Sequence, residues 1–194
     1  MWKKSYTSPT VIFFSTFTVL LLNYWFTFSG FLGYDDVEYI NQALAFNDGA
    51  FTLENDHFAW RWTVILGLAV SFKIFGLNEF AIAFPSLFVS ALTLTLVSQF
   101  FQKWTWKLWA LIFILTNQWF LFYSYRSMSD IYIVLFFVMT IYGVHLFRQQ
   151  KIQPGIALFF FCFFLSFLTK GTILLYIPVL IFFFFFVYIK HTIF

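Results

Sequence analysis

Four short stretches of this sequence carry side chains able to do acid–base or anion chemistry. The first is Gly33-Tyr34-Asp35-Asp36-Val37-Glu38-Tyr39, two adjacent carboxylates opening a segment whose apolar spacing predicts a helix to about Phe46, with Gly49 as its stop. A plain reading is also open here: acids in a first turn are favoured by the helix dipole. The second is His57-Phe58-Ala59-Trp60-Arg61, where Arg61 can meet a phosphate and His57 adds a titratable ring; Trp60 and Trp62 alone would make it an interface anchor. The third is Tyr125-Arg126-Ser127-Met128-Ser129-Asp130. If helical, it brings Arg126 and Asp130 together at i, i+4, and Asp130 can also cap the helix that follows. The fourth is Lys170 in Phe167-Leu168-Thr169-Lys170-Gly171-Thr172, a charge that interrupts one long apolar run. A charge at membrane depth costs about 2.5–3.5 kcal/mol on insertion scales, so such residues are functional by default; snorkelling at a hairpin tip is the plain alternative.

The elements that must position these groups are apolar. Of 194 residues 62% are hydrophobic and 10% charged, and Phe alone contributes 34; the mean hydropathy is +0.85. Soluble domains carry about 25% charged residues, so lipid is the consistent solvent. The basic residues come in ones and twos and suggest no nucleic acid. Cys162 lies alone in an apolar run, which excludes a disulfide framework. His145 and His191 have no visible partners. The segment from Thr10 to Phe28 follows Lys3 and Lys4, is too long for a signal-peptide core and reads as a retained first helix.

Apolar stretches fall at about 10–28, 62–76, 79–101, 107–123, 130–147, 155–169 and 172–189. Charge placement decides whether 62–76 crosses. If it stays at the outer interface, Lys3, Lys4, Lys103, Lys107, Arg148, Lys151 and Lys190 lie on one side. Arg61, Lys73, Arg126 and Lys170 then lie on the other, with all eight acids. If it crossed, the basic residues would split five to six. The positive-inside rule selects the first arrangement, and about 15 residues is short for a span. The expected fold is therefore an all-α integral membrane module over 1–194, with about six transmembrane helices. It has a cytoplasmic N-terminus in the cell membrane and amphipathic juxtamembrane helices in a 29–78 external loop. Trp104, Trp106 and Trp109 suit an inner aromatic belt. This topology gathers Asp35, Asp36, His57, Arg61, Arg126, Asp130 and Lys170 at one face, and carboxylates beside bases there suit an anionic lipid headgroup and a hydroxyl to be deprotonated.

At these residues the sequence resembles the lipid-linked glycosyltransferases of the GT-C class, among them the aminoarabinose transferase-like and protein O-mannosyltransferase-like enzymes. Asp35, Asp36 and Tyr39 match the acidic pair followed by x-x-Tyr. His57, Arg61 and Phe75-Gly76, followed by Leu77-Asn78-Glu79-Phe80, match the element that leads into an interfacial helix. Arg126 with Asp130, and Leu168 to Gly171 with Pro178 downstream, match the later two. The resemblance implies a polyprenyl-phosphate sugar donor at the outer face and an acceptor hydroxyl deprotonated by Asp35, with Asp36 and Asp130 in the catalytic group. It implies a donor phosphate held by Arg126, Lys170, Arg61 and His57, and Tyr39 against acceptor or sugar. Asp130 would orient Arg126 or join Asp35 on a divalent metal ion. Members of the class are typically longer, so this chain corresponds to their N-terminal transmembrane module: a truncated product, a fragment, or a short form that needs a partner subunit to supply further helices. Two other classes fit the charges: a transporter or flippase of a lipid-linked substrate, which should show repeats or broken helices, and a non-catalytic membrane subunit.

Overall fold

The computed structural model describes residues 8–30, 33–53, 57–149 and 151–170, and among them every regular element is a helix. The order is α1 (Pro9–Thr27), α2 (Tyr34–Asn47), α3 (Trp62–Phe75), α4 (Glu79–Gln99), α5 (Trp104–Leu115), α6 (Gln118–Tyr123), α7 (Ser129–Arg148) and α8 (Ile152–Thr169). Four of them, α1, α4, α7 and α8, are long and apolar enough to cross a membrane. Their ends follow local chemistry. Ser8 caps α1 ahead of Pro9, Asn78 Oδ1 accepts from Ala81 N at 2.8 Å to open α4, and α3 stops at Gly76, whose φ of 73° suits glycine.

Beside an apolar core that includes Leu20, Ile65, Leu68, Leu87 and Leu94, many large apolar side chains face outward. Trp25, Phe26 and Phe113 are about four-fifths exposed, whereas Asp36, Ser90, Ser98 and Thr169 are fully buried. On α8 the phenylalanines 160, 161, 164 and 167 point outward, while Gly155, Cys162, Ser166 and Thr169 face the bundle. Small and hydroxyl-bearing residues inside with large apolar ones outside is what association in lipid favours. Several buried hydroxyls are satisfied within their own helices: Thr93 and Thr95 of α4 and Thr140 of α7 donate to carbonyls four residues back. α7 and α8 approach most closely at Gly143, where an added Cβ would lie 2.9 Å from Gly155 O and 3.0 Å from Phe159 N.

Cross-helix contacts give the directions. α1 and α4 are antiparallel, with Phe13 against Phe88 and Phe17 against Phe84. α4 and α7 are parallel: Ser86 reaches Arg126 O just before α7 begins, and Phe100 meets Tyr142 and His145 at the far end. α7 and α8 are antiparallel, joined at the first end by Asp130 and Lys170. That end is therefore where α1 and α8 finish and α4 and α7 start. α3 never leaves it: Thr63 bonds Thr169 at one terminus, and Phe75 packs on Phe80 at the other.

Proline supplies the docking points for α3. Pro85 inside α4 has no N–H to give the carbonyl of Ala81. Ser71 Oγ of α3 donates to that carbonyl at 2.6 Å instead, and Ser127 Oγ reaches the neighbouring Ile82 O at 3.3 Å.

One expected element is corrected. The 107–123 stretch is not one helix: α5 begins at Trp104 and stops at Leu115, and α6 starts afresh at Gln118. Asn117 Oδ1 accepts from Phe120 N at 3.0 Å and so caps a new helix inside the apolar run. The expected span over 172–189, with Gly171, Pro178, Lys190 and His191, lies outside the described residues, as do Lys3 and Lys4.

Candidate functional site: a basic pocket at one end of the bundle

The acidic pair at the head of α2 splits into two environments. Asp36 is fully buried and accepts from Arg126 Nη1 and from Ser127 N, both at 2.8 Å. Arg126 is as enclosed as its partner, lies over the Phe122 ring at 4.7 Å, and has its carbonyl held by Ser86. The pair fastens α2 to the turn between α6 and α7. Asp35 is half-buried, and its carboxylate makes no hydrogen bond or ion pair among the described residues. It sits four residues before Tyr39 on the same helical face, close enough for its charge to oppose ionisation of that phenol.

Tyr39 is itself fully buried. Its hydroxyl accepts from Arg61 Nη1, and the guanidinium rests over the rings of Phe58 and Tyr39 at 5.1 Å and 5.6 Å. Burial pushes the Tyr39 phenol above its ordinary value, with Arg61 pulling partly the other way. Arg61 is thus oriented by a hydroxyl and two aromatic faces rather than by a carboxylate. His57 packs on Phe58, ring centres 4.0 Å apart.

Lys170 closes α8 in an extended conformation, and its Nζ donates to Asp130 Oδ1 at 3.0 Å. This pair is open, with side-chain exposures of 30% and 46% against 3% and 0% for Arg126 and Asp36. His57, Trp60, Arg61, Phe167, Leu168, Thr169 and Lys170 line an open pocket of about 390 Å³. Asp130 lines a different depression of about 310 Å³, an apolar groove with Phe113, Trp119, Phe120, Ile131 and Val134. The two meet across the Asp130–Lys170 pair. An arrangement of two cations and a histidine beside an apolar groove suits an anion carried on a hydrocarbon chain.

The expected residues therefore fall into groups. His57, Arg61 and Lys170 converge on one pocket, Asp130 borders it and Tyr39 backs it. Three expectations are corrected. Arg126 and Asp130 do not pair, because the chain turns between Ser124 and Met128 and each takes a distant partner. Arg126 and Asp36 bind each other below the surface, outside the pocket lined by Arg61 and Lys170. Tyr39 is buried behind Arg61 rather than presented to an acceptor or sugar. Among the described residues no three His, Cys, Asp or Glu side chains gather as a metal site, and Asp130, one of the two candidate ligands, is engaged by Lys170. Residues missed were Thr63, whose hydroxyl lies 2.8 Å from that of Thr169 and ties α3 to α8, and Ser127, whose N–H completes the Asp36 site; neither has a spacing that marks it. Comparison of the chain with protein-family models, with curated proteins and with solved structures finds no match.

Proposed function

We propose that this chain is the transmembrane module of a GT-C-like glycosyltransferase, taking a sugar from a polyprenyl-phosphate donor to an acceptor hydroxyl at the outer membrane face. The observation that carries the reading is the basic pocket, assembled from segments more than a hundred residues apart in sequence and adjoining an apolar groove wide enough for a hydrocarbon chain. The donor phosphate sits against Arg61 and Lys170, with His57 beside them, and the lipid chain follows the groove past Asp130. Asp35, the unengaged carboxylate of its pair, takes the acceptor proton. The acceptor oxygen bonds to the anomeric carbon while the bond from that carbon to the phosphate oxygen breaks, and the phosphate leaves with the electron pair, stabilised by the two cations. A phosphate leaving group needs no proton, so one carboxylate suffices where a glycosidase uses two.

In this reading the pocket end faces outward, α2 and α3 lie at the outer interface, and the N-terminus is cytoplasmic. Six spans follow if α5 and α6 cross together and 172–189 crosses last. Lys103, Lys107 and Lys151 then lie at the inner end, as the positive-inside rule asks. One observation favours a second reading: the break at Thr116–Asn117 is the kind of discontinuity that transporters use. The test is to incubate membranes containing the chain with labelled polyprenyl-phosphate sugars. Label transfer that is lost in Asp35→Asn and weakened in Arg61→Ala and Lys170→Ala supports the transferase; movement of intact donor across the bilayer without transfer selects the transporter.

A further inference from the structure

The Lys170 ammonium has two faces. One meets Asp130 through a single hydrogen bond of 3.0 Å, and the other lines the basic pocket with Arg61. Asp130 is not itself in that pocket; it stands behind the lysine, on the groove side. Arg61 has no such counter-charge: it is steadied by the Tyr39 hydroxyl and by two rings, with no carboxylate in ion-pair range among the described residues. Of the two basic side chains at the pocket wall, Lys170 is therefore paired with a carboxylate and, among the described residues, Arg61 is not.

We infer that Asp130 is a specificity-determining residue that weakens the pocket's preference for phosphomonoesters over phosphodiesters. This rests on the phosphate reading above. A phosphodiester carries one negative charge, whereas a monoester carries about two at neutral pH. A fixed carboxylate behind Lys170 repels both, and repels the dianion about twice as strongly. A lipid-phosphate sugar is a diester; the lipid phosphate left after transfer is a monoester. Without Asp130 the pocket would hold the spent lipid several-fold more firmly relative to the fresh donor. The openness of the pair serves this role, since both groups stay solvated and the lysine can turn toward an anion without stranding a buried charge.

The experiment uses the full chain in detergent micelles at about pH 8, where the monoester is doubly charged. Affinities for a long-chain dialkyl phosphate and the matching monoalkyl phosphate are measured side by side. A unit charge about 7 Å from the ligand in a solvated site predicts that Asp130→Asn raises the monoester-to-diester affinity ratio roughly three- to tenfold. Asp130→Glu, which keeps the charge, should keep the wild-type ratio. If both ligands still bind and the Asp130→Asn ratio does not move, the inference is wrong while the phosphate reading stands. If neither ligand binds the wild-type chain, both fall together.

Discussion

Replacing Asp36 by alanine removes the one carboxylate that neutralises a wholly buried guanidinium. Arg126 would keep its place over Phe122 but lose its only charge partner among the described residues, and the Ser127 N–H would lose its acceptor. Stranding one member of a buried pair costs about 3–5 kcal/mol, and the orphaned N–H adds to it within a range of about 1–3 kcal/mol. Because these terms share one site and do not add fully, we expect a loss of about 4 kcal/mol, a large part of the stability of an ordinary domain. Asp36→Asn should lose less, since its amide oxygen can still accept from Ser127. The double variant Asp36→Leu with Arg126→Met removes both charges, and should recover to within about 2 kcal/mol of wild type. The assay is unfolding of the purified chain by SDS titration, read by circular dichroism, with Asp35→Asn as a neighbouring control that should shift by less than about 0.5 kcal/mol. A loss below about 1 kcal/mol for Asp36→Ala, or a double variant as weak as the sum of its singles, would refute the latch.

Three further outcomes follow from the packing. Gly143→Ala should destabilise by about 1–3 kcal/mol, because its methyl group meets backbone atoms of α8 that have no rotamer to change; the same unfolding assay reads it. Ser71→Ala should cost about 1 kcal/mol by orphaning the Ala81 carbonyl that Pro85 leaves free, and amide exchange at the start of α4 should quicken. Burial raises the Tyr39 phenol above its value of 10.0 in an unfolded chain. As pH rises past about 10 the unfolded chain therefore ionises first, and stability falls with pH; Tyr39→Phe should make that alkaline loss shallower.

Two helix ends were legible from a residue type that forces them: Gly49 just past α2 and Gly76 at the end of α3 stand at element boundaries. The Thr116–Asn117 break was not, because hydropathy averages over it while the break depends on a single side-chain cap. The shared end of Arg61, Asp130 and Lys170 could be argued from charge counts and the short length of 62–76. Their partners could not. Spacing puts Arg126 and Asp130 together only if a helix runs through them, and pairings across 90 and 40 residues, Asp36 with Arg126 and Asp130 with Lys170, come from how helices dock. The same limit hid the division of labour between Asp35 and Asp36, identical in type and adjacent in sequence but one half-buried and the other fully buried.

Everything proposed for the pocket depends on its residues sharing one side of the membrane. The most direct measurement is labelling with a membrane-impermeant thiol reagent in intact cells, on a Cys162→Ala background carrying one new cysteine at a time. Arg61→Cys and Lys170→Cys should both label from outside, and Lys103→Cys and Lys151→Cys only after the membrane is opened. Labelling of 61 and 170 from opposite sides would take the pocket apart, and the transferase reading with it.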